Sequence, residues 1–188
     1  TALYSDASGR VDAGTTYVVY GKTSGTAVDL ADINDRQGGF AVYGGAVSEL
    51  TGKSVTATDF NNDGYSDLII GAPYSDPATG ADAGQTYVVY GHGTTPPPVA
   101  QTNVNLADVA QGDGGLAIKG ASAAEYSGWV VAAAGDVNKD GYNDVIVTAP
   151  YSDPATGADA GRSYVVYGKS GNANINLADV QQGIGGFV

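Results

Sequence analysis

Two stretches of the chain set oxygen-bearing side chains at alternate positions. They are Asp59-Phe-Asn61-Asn-Asp63-Gly-Tyr65-Ser-Asp67 and Asp136-Val-Asn138-Lys-Asp140-Gly-Tyr142-Asn-Asp144. In each, Asp or Asn stands at positions 1, 3, 5 and 9, and Gly at position 6. Hard oxygen donors suit Ca²⁺, which takes about six to eight of them in a flexible shell. Alternate residues of a tight turn aim their oxygens inward, and Gly permits the sharp bend. Position 7 supplies a backbone carbonyl in such turns, here from Tyr65 and Tyr142. The bidentate Glu that closes an EF-hand at position 12 is absent, since Ile70 and Val147 stand there. The turns are therefore expected to bridge strands rather than helices. An ion-free Asp/Asn hairpin is the alternative, but it crowds three carboxylates that repel one another. Two Ca²⁺ ions are expected, on Asp59, Asn61, Asp63, Tyr65 and Asp67, and on Asp136, Asn138, Asp140, Tyr142 and Asp144. They would bring the net charge of -12 to -8 and tie adjacent strands together.

Composition sets the surroundings of these turns. Of the 188 residues, 18 are Asp and only two are Glu, Glu49 and Glu125. Asp favours caps and turns while Glu favours helix interiors, so a helical bundle is excluded early. The 29 Gly and 13 Tyr, with abundant Val and Thr, point to strands joined by tight turns. The acidic balance makes nucleic acid or an anionic membrane a poor partner. No run of about 18 apolar residues offers a membrane-spanning helix. Zero Cys excludes disulfides, zinc–thiolate sites and thiol nucleophiles. Thr1 is preceded by no leader or initiator Met, as expected of a processed or excised chain.

The chain repeats itself. Tyr74-Ser-Asp-Pro-Ala-Thr-Gly-Ala-Asp-Ala-Gly84 recurs letter for letter at Tyr151–Gly161, with a degenerate copy at Tyr4–Gly14. Each copy precedes Tyr-Val-Val-Tyr-Gly, then Leu-Ala-Asp, then Gly-Gly-(Phe/Leu). The second copy carries an insertion around Thr94-Thr-Pro-Pro-Pro98, expected to be a surface loop because Pro cannot donate to a sheet. The underlying period is about 71 residues, long for a β-helix.

One period reads as four short strands. These are Ser54–Asp59, matched by Trp129–Ala134; Asp67–Gly71, matched by Asp144–Thr148; the Tyr-Val-Val-Tyr strand; and Phe40–Tyr43, matched by Leu116–Lys119. The Leu-Ala-Asp segment is expected to form a single helical turn. The pattern predicts an all-β fold of β-propeller blades, each of four antiparallel strands, with the acidic turns between first and second strands. The chain divides into a partial blade at 1–44 (third and fourth strands), a complete blade at 45–120 and a near-complete blade at 121–188. That is about two and a half blades, where propellers use about four to eight. A simple ring of such chains does not close, which leaves a fragment of a longer protein or blades assembled through open edges.

On these residues the chain resembles the FG-GAP repeats of integrin α-subunit β-propellers, most closely their bacterial integrin-like relatives. The resemblance is carried by the Asp-x-Asn-x-Asp-Gly-x-x-Asp turns, the Gly71-Ala-Pro73 and Thr148-Ala-Pro150 triplets and the Tyr-Val-Val-Tyr-Gly strands. It implies calcium held on one face of a propeller, and adhesion or ligand binding. The Phe-Gly element departs from the pattern, as Leu50-Thr-Gly52 and Tyr126-Ser-Gly128, and the first copy lacks its acidic turn. Ligand specificity does not carry over.

The expected function is a non-catalytic, extracellular, calcium-stabilised repeat protein acting in adhesion or in binding a protein or glycan at the cell surface. Alternatives are a building block of a surface layer or filament that pairs with further copies of itself, and an accessory domain of a secreted enzyme. The single His, His92, sits beside the Pro-rich insertion, and no Gly-x-Ser-x-Gly element exists. Paired Asp residues could pass for a glycosidase pair, but metal duty explains them better. Trp129 and the Tyr-rich loops are expected to pack more than to bind.

Overall fold

The computed structural model describes residues 1–92, 102–154 and 157–188. The Pro-rich insertion lies outside them, as do Ala155 and Thr156 of the last repeated loop. Among the described residues the fold is all-β, with three short α-helices and a 3-10 turn at Ala7–Gly9. In the central blade β3 (Ser54–Thr58), β4 (Asp67–Ala72), β5 (Gln85–Val89) and β7 (Gly115–Lys119) pair antiparallel in sequence order. In the last blade β8 (Val131–Gly135), β9 (Asp144–Ala149), β10 (Arg162–Val166) and β12 (Gly186–Phe187) do the same. The first sheet has only β1 (Thr15–Val19) and β2 (Gly39–Tyr43) in this arrangement. Among the described residues no closed barrel forms.

Each four-stranded sheet follows from its residues. The strands are rich in Val, Ile, Thr and Tyr, and Gly-rich turns separate them. The central strands β4 and β5 are nearly continuous apolar runs because blades cover both their faces. Ile69 packs with Val88 into the seam with the last blade, while Ile70 packs with Tyr87 on the other side. Fully burying one such side chain contributes about 2 kcal/mol.

The Leu-Ala-Asp segments form α1 (Leu30–Asn34), α2 (Leu106–Val109) and α3 (Leu177–Val180). The side chains of Asp29, Asn105 and Asn176 cap them by accepting from Ala31, Ala107 and Ala178 N–H at 2.9, 3.1 and 2.9 Å. Two-residue strands precede two of these helices and were not expected. β6 (Val104–Asn105) pairs parallel with β2, and β11 (Ile175–Asn176) pairs parallel with β7. A segment of each repeat thus laps onto the outer strand of the repeat before it. The central sheet has five strands in consequence, not four. Asn174 secures the lap: its Oδ1 accepts from Ala117 N–H at 2.8 Å and its Nδ2 donates to Ala110 O at 2.9 Å. Asn103 does the same for the first sheet, accepting from Ala41 N–H at 3.0 Å.

One expected strand is corrected. Trp129 does not open the first strand of the last blade, which starts at Val131 and ends at Gly135. The pairing with β9 shifts between Ala133 and Gly135, and the bulge absorbs one residue more than β3 carries.

The Gly-Ala-Pro triplet finds its reason in packing. A Cβ on Gly71 would lie 2.0 Å from the Gly128 carbonyl oxygen of the next blade. Thr148 occupies the same place in the last blade.

Candidate functional site: acidic turns at one end, aromatics at the other

The turn after β3 is organised by its own acids. Asp59 accepts at Oδ1 from Asp63 N–H (3.1 Å) and at Oδ2 from Gly64 N–H (3.0 Å). Asn61 Oδ1 also accepts from Asp63 N–H, at 3.0 Å, and its Nδ2 donates to Asp63 Oδ2 at 2.9 Å. Asp63 Oδ1 accepts from Tyr65 N–H at 2.9 Å. The turn after β8 repeats this through Asp136, Asn138, Asp140, Gly141 and Tyr142 with distances of 2.7–3.1 Å. Gly64 has φ +88 and nothing near its missing Cβ, so Gly is needed there for backbone conformation alone.

The ninth position stands apart from the other acids. Asp67 is fully buried and opens β4. Its Oδ2 accepts from Phe60 N–H at 2.8 Å and Asn61 N–H at 3.3 Å, and its Oδ1 from Gly91 N–H at 2.8 Å. Asp144 likewise accepts from Val137 and Gly168 N–H. These carboxylates lock the base of each turn to the end of the third strand, a role that spacing alone did not suggest. Burial pushes the Asp67 carboxyl above the usual range, against the lowering effect of the Gly91, Phe60 and Asn61 N–H groups.

The structure gathers Asp59, Asn61 and Asp63 at the tip of the turn, the first two half-buried and Asp63 exposed, and Asp136, Asn138 and Asp140, all exposed, likewise. Among the described residues, no three acidic or imidazole side chains converge as a metal-holding group. A cation there would rely on the two tip carboxylates, the Asn amide oxygen and the Tyr65 or Tyr142 carbonyl, with Asp67 or Asp144 closing the set from the base of the turn. The donor chemistry fits a hard cation, because every available group is oxygen. Each carboxylate oxygen bonded to one N–H keeps a second lone pair for an ion.

The turn also couples blades. Phe60 is fully buried in the core shared with the last blade. Its carbonyl accepts from Lys169 N–H at 3.1 Å, and Asn143 Nδ2 donates to Asp59 O at 3.1 Å.

The opposite end of the blades carries the repeated eleven-residue loops. Asp76 Oδ1 accepts from Asp82 N–H at 2.7 Å, and Asp153 from Asp159 N–H at 2.6 Å, so these acids fold their own loops. Between the loops Tyr74, Tyr126, Trp129 and Tyr151 form a cluster of mostly edge-to-face pairs, with Tyr74 tilted against Trp129 and ring centroids 5.2–6.3 Å apart. Lys53 Nζ lies 4.6 Å above the Trp129 ring. Asp159 borders the shallow cleft that the four rings line. The Asp82 carboxylate pushes the Tyr126 phenol pKa up. Sequence reasoning weighed Trp129 and the Tyr-rich loops separately and did not foresee that they meet. Position in the repeat was the signal available, because Tyr74 and Tyr151 open identical loops.

The two Glu residues were also missed as a pair. Glu49 and Glu125 occupy equivalent places in the segments entering the central and last blades, and both are buried. Glu49 accepts from Gly45 N–H, from Thr51 Oγ1 at 2.7 Å, from Ser75 Oγ at 3.3 Å and from the Tyr87 hydroxyl at 3.0 Å. Glu125 accepts from Ala121 N–H and from Ser152 Oγ at 3.1 Å. Arg162 Nη1 donates to the same Ser152 Oγ at 2.9 Å. His92 carries no described hydrogen bond and borders an apolar cleft between the first two sheets.

Comparison with known proteins agrees with these repeats. The FG-GAP repeat model matches residues 51–89 and 127–166, the first three strands of each acidic-turn blade. Integrin alpha-3 of Mus musculus is 29% identical over 128 residues, covering 68% of this chain and 10% of that protein. Integrin alpha pat-2 of Caenorhabditis elegans is 34% identical over 122 residues, 64% of this chain and 9% of that protein. Integrin alpha-6 of Homo sapiens is 28% identical over 144 residues, 75% of this chain and 11% of that protein. The chain thus spans about a tenth of the length of these relatives.

Proposed function

We propose that this chain, which carries two FG-GAP repeats and is similar to integrin α subunits, is a non-catalytic, calcium-stiffened stretch of β-propeller. It presents a ligand-binding surface outside the cell, in adhesion or partner capture. The observation that carries the reading is the division of labour along each blade. Acidic turns gather at one end, and a half-exposed aromatic cluster edged by acids gathers at the other.

At the first end Asp59, Asn61, Asp63, the Tyr65 carbonyl and Asp67 are the proposed calcium set. Asp136, Asn138, Asp140, the Tyr142 carbonyl and Asp144 are the second. A bound Ca²⁺ supplies positive charge that offsets repulsion between neighbouring carboxylates. Asp67 and Asp144 hold each turn against its blade, and Phe60 passes that order to the blade beside it. A millimolar range of affinity would suit an extracellular module.

At the other end the aromatic rings offer large, rigid contact area. A protein or glycan ligand is expected there, and the flanking Asp159 favours polar or cationic groups on it. Among the described residues no helix is long and apolar enough to cross a membrane.

The test has two arms. Calcium titration should raise the melting temperature saturably, and a chelator should reverse the rise. A binding screen of matrix proteins and glycans should yield a ligand that Tyr126→Ala or Trp129→Ala weakens at least tenfold. No thermal response to calcium defeats the first part, and ligands indifferent to both substitutions defeat the second.

A further inference from the structure

The two acidic turns lie against each other, and the contact runs between residues that would hold an ion or stand beside those that do. Asp59 opens the first turn, and its backbone carbonyl accepts from Asn143 Nδ2 at 3.1 Å. Asn143 stands between Tyr142 and Asp144, the last two members of the second set. The carbonyl of the next residue, Phe60, accepts from Lys169 N–H at 3.1 Å. The neighbouring Gly168 N–H donates to Asp144 Oδ1 at 2.9 Å. Two short chains of hydrogen bonds thus join the base of the first turn to the base of the second.

Packing leaves this junction little slack. A Cβ on Gly168 would lie 2.7 Å from the Phe60 oxygen of one turn and 2.7 Å from the Tyr142 Cβ of the other. At the tips, a Cβ on Gly141 would stand 3.9 Å from the Asn62 amide nitrogen. Ser66, a shorter side chain, holds the place of Asn143 in the first turn.

We propose that the two turns take up calcium cooperatively, with Asn143 as the coupling residue. Filling the first turn fixes Asp59 through its carboxylate. The Asp59 carbonyl then steadies Asn143, and with it the Tyr142 carbonyl on one side and Asp144 on the other. Part of the ordering cost of the second turn is thereby met before its own ion arrives. Such coupling is reciprocal, so the second turn favours the first by the same factor. Charge opposes it, because one bound dication lessens the pull of these acids on another. Salt weakens that opposition, screening exposed charges beyond about 8 Å at physiological strength. The inference rests on the calcium reading above and adds the dependence of one site on the other.

The intact chain is titrated with calcium at physiological salt while NMR follows the amides of Gly64 and Gly141. Each reports its own turn, since these N–H groups donate to Asp59 at 3.0 Å and to Asp136 at 2.9 Å. Asp63→Ala should raise the calcium midpoint seen at Gly141 by about fivefold or more, and Asp140→Ala should raise that at Gly64 by the same factor. Asp63→Asn, which keeps an acceptor for Tyr65 N–H, replaces the alanine variant if that one does not fold. Adding Asn143→Ser should cut each cross effect to less than half. A Gly141 midpoint unmoved by the Asp63 variants, or cross effects untouched by Asn143→Ser, would overturn the coupling and leave the calcium reading standing. Two glycine signals indifferent to calcium in the intact chain would overturn both.

Discussion

The Tyr87 hydroxyl donates to the Glu49 carboxylate across 3.0 Å, joining the third strand of a blade to the segment that leads into that blade. Neither side chain reaches solvent. Burial first, and then the Glu49 charge, push the Tyr87 phenol well above its ordinary range. Removing the carboxylate would strand four donors in the interior. Glu49→Ala should therefore destabilise the protein by about 3 kcal/mol, read by urea unfolding. Tyr87→Phe should cost about 1 kcal/mol. The pair should not add, because they share one bond.

Glu125 sets a pH dependence. Burial raises its carboxyl above the ordinary value, and hydrogen bonds from Ala121 and Ser152 only partly oppose this. The folded state then holds a proton that the unfolded chain has released. Stability from this group is fully present below the unfolded carboxyl range and is lost as pH rises through the raised value. Melting temperature measured from pH 4 to 7 should show that decline. Glu125→Gln should flatten it while keeping an acceptor for Ala121 N–H. An identical slope in both proteins would remove Glu125 as its source.

Calcium linkage should divide between the two turns. Asp63→Ala and Asp140→Ala should each remove at least half of the calcium-induced thermal shift, and the double variant nearly all of it. Saturation at about 100 times the dissociation constant is worth about 2.7 kcal/mol per site. A shift that survives the double variant would place the ion elsewhere.

Trp129 is the sole tryptophan and reports on the aromatic end. Lys53→Met should shift its emission by removing the cation above the ring. Ligand binding at the cluster should do so too. Calcium bound at the acidic turns should change the emission far less, because those turns lie at the other end of the blades.

Gly71→Ala tests the close approach between blades. The added carbon would press on the Gly128 oxygen, and the blades would have to part. A loss of about 3 kcal/mol is expected from overpacking, measured by thermal or urea unfolding.

Much of the fold was legible because each repeat states its strands locally. Alternating Val, Tyr and Thr marked β5 and β10, and the Asp-Gly turns marked the β3–β4 and β8–β9 connections. The helical turns were legible from Leu-Ala-Asp, but not their Asp and Asn caps. What stayed hidden depends on partners distant in sequence. The lap strands β6 and β11 are two residues long and exist only against another blade. Glu49 looked like any surface acid until the fold placed four donors around it. The bulge before Asp136 hid because Trp129–Ala134 is one residue out of step with Ser54–Asp59. The turns showed their ion-seeking pattern plainly, but the division between tip acids and the buried Asp67 arises only where the third strand closes on the turn through Gly91.

The lap of β11 on β7 also fixes where this molecule can be cut. A fragment trimmed at residue 120 would keep every residue of the central repeat yet lose the strand that borders β7. Sequence period and autonomous unit are out of phase. Excised modules intended for engineering or crystallisation should run on through Asn176, and tandem duplications that respect only the written period would leave a frayed outer border.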